Sequence, residues 1–199
     1  MILQVAEELF SENGFEGTSI RDLAAKADVN LAMISYYFGS KEKLFEEMVL
    51  RRTVYMRELM TQLLAADADP KDKLFIIIDL YVDRILSNSS FHKIMYREIS
   101  LGIRAEMNTA ICNILSDNAI HFAEIINEGI EKKVFKPVDV PLTIASIIGT
   151  INHSSSSKKL VCRVLGVAPE TYEIDSPEHK NRLKTHLKQL MTSHLLIEN

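Results

Sequence analysis

Apolar residues recur at helical spacing along nearly the whole chain, and no stretch alternates apolar and polar positions as a half-buried strand does. Ile2, Val5, Ala6, Leu9 and Phe10 follow the spacing of a helix with one buried face, and Gly14 supplies its stop. Thr18 or Ser19 caps a second, short helix whose inner stripe is Ile20, Leu23, Ala24 and Ala27, ending near Asp28. Val29 then plugs a tight turn, Asn30 caps a third short helix facing inward at Ile34 and Phe38, and Gly39 breaks it. Ser40 starts a fourth helix that turns Leu44, Phe45 and Met48 towards the core and runs to the neighbourhood of Leu64.

Past the turn at residues 67–70 the helices lengthen. Leu74, Ile77, Ile78, Tyr81, Val82 and Ile85 mark one; residues 91–100 form another; Gly102 interrupts; a long helix then carries Ile111, Leu115, Phe122, Ile126 and Ile130. Pro137 and Pro141 mark a loop and a fresh start. Residues 142–152 are apolar on nearly every side and are therefore expected to be buried on nearly every side. An amphipathic piece at 158–166 follows a run of serines, and a last helix over 177–196 places Leu183, Leu187, Leu190, Met191 and His194 on one stripe. The pattern predicts an all-α protein in which a three-helix N-terminal module, residues 1–49, precedes a larger helical domain, residues 50–199, with the break inside the fourth helix.

A chain of 199 residues can bury a core without staples. Cys112 and Cys162 lie far apart in apolar surroundings with no ligand cluster, so both read as reduced core residues in a cytoplasmic setting. No segment resembles a leader, and the apolar runs fall short of a membrane span. The formal net charge of −4 speaks against a nucleic-acid partner, since phosphate contacts from Lys and Arg supply most of such affinity. Only local geometry can meet that objection.

Two short helices joined by a tight turn, with a third packed across them, push one helix N-terminus into a DNA major groove. The residues sharpen this: Thr18-Ser19-Ile20-Arg21-Asp22-Leu23-Ala24, then Ala27-Asp28-Val29-Asn30, then Ile34-Ser35-Tyr36-Tyr37-Phe38-Gly39-Ser40-Lys41-Glu42. Here the chain resembles the TetR family of bacterial repressors over about its first fifty residues, without a gap. Beyond them the likeness is one of helix number and length. Asp28 stands where that family usually has Gly, a substitution the turn can bear because Asp tolerates the left-handed conformation. The basic residues common before the family's first helix are missing, which implies a trimmed start or fewer phosphate contacts.

The resemblance implies that Leu31, Ala32 and Met33 meet base edges, where an apolar trio suits thymine methyls, and that Arg21 reads guanine through a bidentate contact. It also implies phosphate contacts from Thr18, Ser19, Tyr36, Tyr37 and Lys41. Phe38, four residues from Ile34, is the core member of the aromatic run, which turns Tyr37 outward; Tyr36 could lie on either side. Thr18 could simply cap its helix, and Lys41 taken alone is an ordinary charge at a helix start.

A ligand-responsive repressor that binds a palindromic operator as a homodimer is the function so implied. Ala145 and Gly149, with Leu183, Leu187, Leu190 and Met191 on the last helix, are the expected dimer face, unless they bury against their own subunit. Between the helices of residues 74–130 the family encloses a small-molecule pocket. The apolar residues there are Phe75, Ile78, Tyr81, Ile85, Phe91, Met95, Ile99, Met107 and Phe122, with Arg97, His121 and Asn127 as candidate polar partners of a mainly hydrophobic effector.

His179 and His186 share a helix face but lie about 10 Å apart along its axis, too far to hold one ion, so no metal and no cofactor are expected. A Gly-rich phosphate loop, G-x-S-x-G and HExxH are all absent from the sequence, which argues against an enzyme. The competing class is a helical binding or scaffold protein that never touches DNA.

Overall fold

A computed structural model describes residues 1–197, among which ten α-helices form and no named strand. They are α1 (Ile2–Asn13), α2 (Ile20–Lys26), α3 (Leu31–Phe38), α4 (Lys41–Ala65), α5 (Pro70–Ser87), α6 (Ser89–Leu101), α7 (Ala105–Glu131), α8 (Val140–Ser156), α9 (Lys158–Leu165) and α10 (Pro177–Leu195). Local chemistry sets most of the ends. The side chains of Ser19, Asn30, Asp69, Asp139, Ser157 and Ser176 each accept a backbone N–H at a helix start. Pro occupies the first turn of α5, α8 and α10, where its missing N–H costs nothing.

The chain forms two compact units, and their boundaries differ from the expected break near residue 50. The first comprises Met1–Glu58 together with Ser90–Asn118; the second comprises Leu59–Ser89 and the chain from Ala119 on. Thus the three N-terminal helices share a core with α6 and the start of α7. Phe10, Phe15 and Phe45 pack together in it, 5.3–5.5 Å apart, and Leu23, Ile34, Leu44, Phe91, Met95, Met107 and Ile111 are buried in the same cluster.

In the second unit α5 packs against both α8 and α10. Ile77, Ile78, Val82, Ile147, Ile151 and Leu187 are buried there. Lys73 is buried too, its ammonium donating to the Leu64 carbonyl at 3.1 Å and to the Glu128 carboxylate at 3.0 Å. Residues 142–152 depart from expectation: Leu142, Ala145, Ser146 and Gly149 form an exposed stripe along α8, opposite the buried Thr143, Ile144, Ile147 and Ile151. Cys162 is buried as expected, whereas Cys112 is exposed and is no core residue.

Gly129 shows packing overruling helix propensity. A Cβ built there would stand 2.1 Å from the buried Phe135 ring and 2.8 Å from its Cγ, so the ring cannot swing clear by its far end. Gly129→Ala should therefore destabilise the protein by about 1–3 kcal/mol, although Ala is favoured over Gly in most helix interiors. Urea unfolding checks the sign; a stabilised variant would mean that Phe135 repacks freely.

Candidate functional site

The helix-turn-helix is built from its caps outward. Ser19 and Asp22 form a capping box: Ser19 Oγ accepts the Asp22 N–H at 3.1 Å, and the Asp22 carboxylate accepts the Ser19 N–H at 3.0 Å. The Ser19 hydroxyl also donates to Asp22, which holds that carboxyl below its ordinary value. Ser19 thus remains exposed but shares the start of α2 with a carboxylate, which offsets the pull of that helix end on a phosphate. Arg21, one turn position further, is exposed.

The turn follows the predicted chemistry. Asp28 adopts φ 51°, the left-handed conformation, and the Val29 N–H returns to the Ala24 carbonyl at 3.0 Å. Asn30 then caps α3 through the Ala32 N–H at 2.9 Å. The fully buried Ile34 pins α3, leaving Leu31, Ala32, Met33, Ser35, Tyr36 and Tyr37 exposed. Tyr36 is 84% and Tyr37 64% exposed, their rings edge to face at 5.3 Å, so both phenols stand in solvent. Ser35 belongs to this outward face and was not singled out by the sequence pattern; its place between the exposed Ala32 and Tyr36 is the signal that marks it.

Two of the expected phosphate contacts, Thr18 and Lys41, have partners within the chain. Thr18 is 1% exposed, and its hydroxyl donates to the carbonyls of Leu9 and Gly14, so it fastens α1 to the following loop instead of facing a ligand. Lys41 donates to the carbonyls of Phe15 at 2.9 Å and Thr18 at 3.0 Å, with its ammonium 4.4 Å from the centre of the Phe15 ring. It holds the loop between α1 and α2 from within.

Arg104, at the start of α7, was also missed. Its guanidinium lies 4.2 Å from the centre of the Phe15 ring, bonds the buried Glu98 carboxylate at 2.6 Å and pairs with Glu16. No motif marks it, because these partners come from two separate segments, α6 and the loop after α1.

A three-helix module with a capped, outward-facing third helix is common to many DNA-binding proteins, and the comparisons with known proteins decide among them. The family described as "Bacterial regulatory proteins, tetR family" matches residues 2–48, and "Tetracyclin repressor-like, C-terminal domain" matches residues 67–156. A Bacillus subtilis protein named "Probable HTH-type transcriptional regulator YttP" is 30% identical over 176 residues, covering 84% of this chain and 82% of its own length. The chain belongs to the TetR family of bacterial transcriptional regulators. Among solved structures, the TetR-family regulator PfmR from Thermus thermophilus superposes with a TM-score of 0.74 at 23% identity, over 100% of this chain and 99% of its own. FadR from Bacillus subtilis in complex with stearoyl-CoA gives 0.75 at 22%, over 94% and 95%. Both likenesses show the fold.

In this TetR-family regulator the remaining candidate effector residues lie on α6 and α7. Arg97 is exposed on α6 in the first unit; His121 and Asn127 lie on α7 in the second, where Asn127 is exposed and the His121 ring pairs with Glu124 at 3.2 Å. Of the expected pocket wall, Phe91, Met95 and Met107 belong to the first core, and Ile78, Ile85 and Phe122 are buried in the second unit.

The dimer set also splits. Ala145, Gly149 and Leu190 are exposed, whereas Leu183, Leu187 and Met191 are buried in their own subunit, on the helix that packs against α5. Helices α8 and α10 run antiparallel, Thr143 Oγ1 meeting His194 Nε2 at 3.1 Å near one end. No helix among the described residues is long and apolar enough to cross a membrane, and no group of His, Cys, Asp and Glu there could hold a metal ion.

Proposed function

We propose that this regulator represses transcription by binding a palindromic operator as a homodimer, and that a small, mainly apolar effector carrying a polar or acidic group releases it. The outward face of α3 carries the reading: with Arg21 beside it, Leu31, Ala32, Met33 and Ser35 would meet base edges while Tyr36, Tyr37 and the Ser19 hydroxyl meet phosphates. One such helix reads too few base pairs for a specific site, and a two-fold dimer places two of them in successive major grooves, about 34–36 Å apart or somewhat more. An acyl chain joined to an anionic head has the effector chemistry in question, and the FadR structure holds one. Helices α4 and α7 each have residues in both units, so a rearrangement in the helical domain can reach the recognition helix along continuous backbone. A coupling of about 1–3 kcal/mol would lower operator affinity 5- to 150-fold.

Selection of binding sites from random duplexes, followed by fluorescence anisotropy at several salt concentrations, tests this reading. A two-fold symmetric consensus is the expected result; recovery of no consensus would leave a helical protein without DNA specificity.

The exposed stripe of Leu142, Ala145 and Gly149 on α8, with Leu190 on α10, serves as the dimer face in this reading. Gly149 has open space around its Cβ position, so Gly149→Leu fits the subunit and obstructs only a second copy. We expect it to raise the dimer dissociation constant about 10- to 100-fold, a cost of about 1.4–2.7 kcal/mol. Sedimentation equilibrium measures it, and an unchanged constant would move the interface elsewhere. Leu187→Glu, at a fully buried position, would unfold the subunit and test nothing about the dimer.

A further inference from the structure

Towards the other end of the α8–α10 pair lies a cavity of about 340 Å³, lined by α8 (Thr150, His153, Ser154), α9 (Val161, Val164, Leu165) and α10 (His179, Arg182, Leu183, His186). None of the candidate effector residues lines it, nor does any of the exposed dimer stripe. Two features mark it as a site. The first is its polar lining. An arginine and three histidines line it with no carboxylate among them, above an apolar wall of Val161, Val164, Leu165 and Leu183. Arg182 has no carboxylate partner among the described residues.

The second is an unmet polar group. His179 is only 7% exposed, and its Nε2 is enclosed without a hydrogen-bond partner among the described residues. The Tyr172 ring lies against it at 5.0 Å, and that buried hydroxyl also lacks a partner. Burial first, and the Arg182 charge second, hold His179 below its ordinary value, so at neutral pH it is an uncharged imidazole able to donate one hydrogen bond. Burying such groups without partners is costly, and a ligand that supplies an acceptor removes the cost.

We propose that this α8–α9–α10 cavity binds a small amphipathic carboxylate, its acid group held by Arg182 and the histidines and its hydrocarbon body against Val161, Val164 and Leu165. Cavities of this size take small organic ligands, and a mostly apolar wall with a few convergent donors is the usual composition of such sites. The acid makes charge-assisted hydrogen bonds with Arg182, which an alcohol of the same length cannot.

The test is calorimetric titration of the full chain with octanoate and, separately, octanol. Octanoate should bind one per chain, about tenfold or more tightly than octanol. Arg182→Gln should bring the two affinities together, and Val164→Asp, which sets a carboxylate at the mouth, should weaken octanoate about tenfold. Both side chains are exposed, so both variants should keep the wild-type circular dichroism and unfolding midpoint. Equal affinity for octanoate and octanol would overturn the proposal. So would octanoate binding that ignores both substitutions, which would place the acid at another site. Binding confined to dilute monomers would show that a second copy fills the cavity, and would overturn it as well. Because no DNA enters this experiment, its outcome is independent of the operator reading.

Discussion

Arg21→Ala should lower affinity for the selected operator by roughly 10²- to 10⁴-fold while leaving affinity for scrambled duplex nearly unchanged. A bidentate arginine–guanine contact supplies about 1–3 kcal/mol of discrimination, and in a two-fold dimer one substitution removes it from both half-sites. Arg21 is exposed at the start of α2, and no hydrogen bond or ion pair within the described residues competes for its guanidinium. The substitution should therefore not disturb the fold, and the loss should appear as relaxed sequence preference with the salt dependence largely retained. Anisotropy titrations on operator and scrambled DNA separate these effects. An equal loss on both duplexes would make Arg21 a phosphate contact. Lys41→Ala offers the contrast: its ammonium holds the carbonyls of Phe15 and Thr18, so it should act first through the stability of the helix-turn-helix.

The helices were legible because their signals are local. The caps at Ser19 and Asn30, the prolines in first turns and the glycine stops each act within a few residues, so the limits of α1 to α4 fall within about two residues of expectation. The turn at Asp28 was legible for the same reason: its left-handed φ was implied by a residue type that tolerates it. Which neighbour covers a given apolar face is a different question. Leu187 and Leu190 lie three residues apart on one predicted stripe, yet Leu187 is fully buried in its own subunit and Leu190 is exposed. Spacing reports that a face is apolar and is silent about what it packs against.

Long-range polar contacts were invisible for the same reason. Thr18 sits in a motif whose resemblance places it at a phosphate, but its hydroxyl reaches back to α1 at Leu9. Lys73 belongs to no motif, yet folding brings it beside Glu128, 55 positions away. Nothing in the linear pattern joins α6 and the start of α7 to the N-terminal core, because Phe91, Met95 and Met107 look like any other helical apolar positions.

Arg104→Ala should have the largest effect on stability, about 3–5 kcal/mol at neutral pH. Arg104 binds Glu98, which is 4% exposed, and also pairs with Glu16 while its guanidinium lies against the Phe15 ring. Removing it strands a buried carboxylate and strips a cation from the aromatic centre of the first core. Burial already pushes the Glu98 carboxyl above its ordinary value, against the opposing charges of Arg97 and Lys41; removing the guanidinium that bonds it at 2.6 Å should push it higher. An acid whose folded value is raised binds its proton more tightly in the folded than in the unfolded state. Its contribution to stability is therefore present at low pH and lost as pH rises through the folded value. The penalty of Arg104→Ala should accordingly be greater at pH 8 than at pH 5, as the stranded Glu98 escapes its charge by protonation. Adding Glu98→Gln to the variant should recover much of the loss at pH 8 and little at pH 5. Urea unfolding of the single and double variants at both pH values measures this; equal penalties without recovery would place the stabilisation in the Phe15 contact and not in the ion pair. The same contacts join α6, through Glu98, to the loop between α1 and α2, through Glu16 and Phe15. Because that loop carries α2 and the turn into α3, loosening them should also weaken how far an effector shifts operator affinity, even under conditions where the variant stays folded.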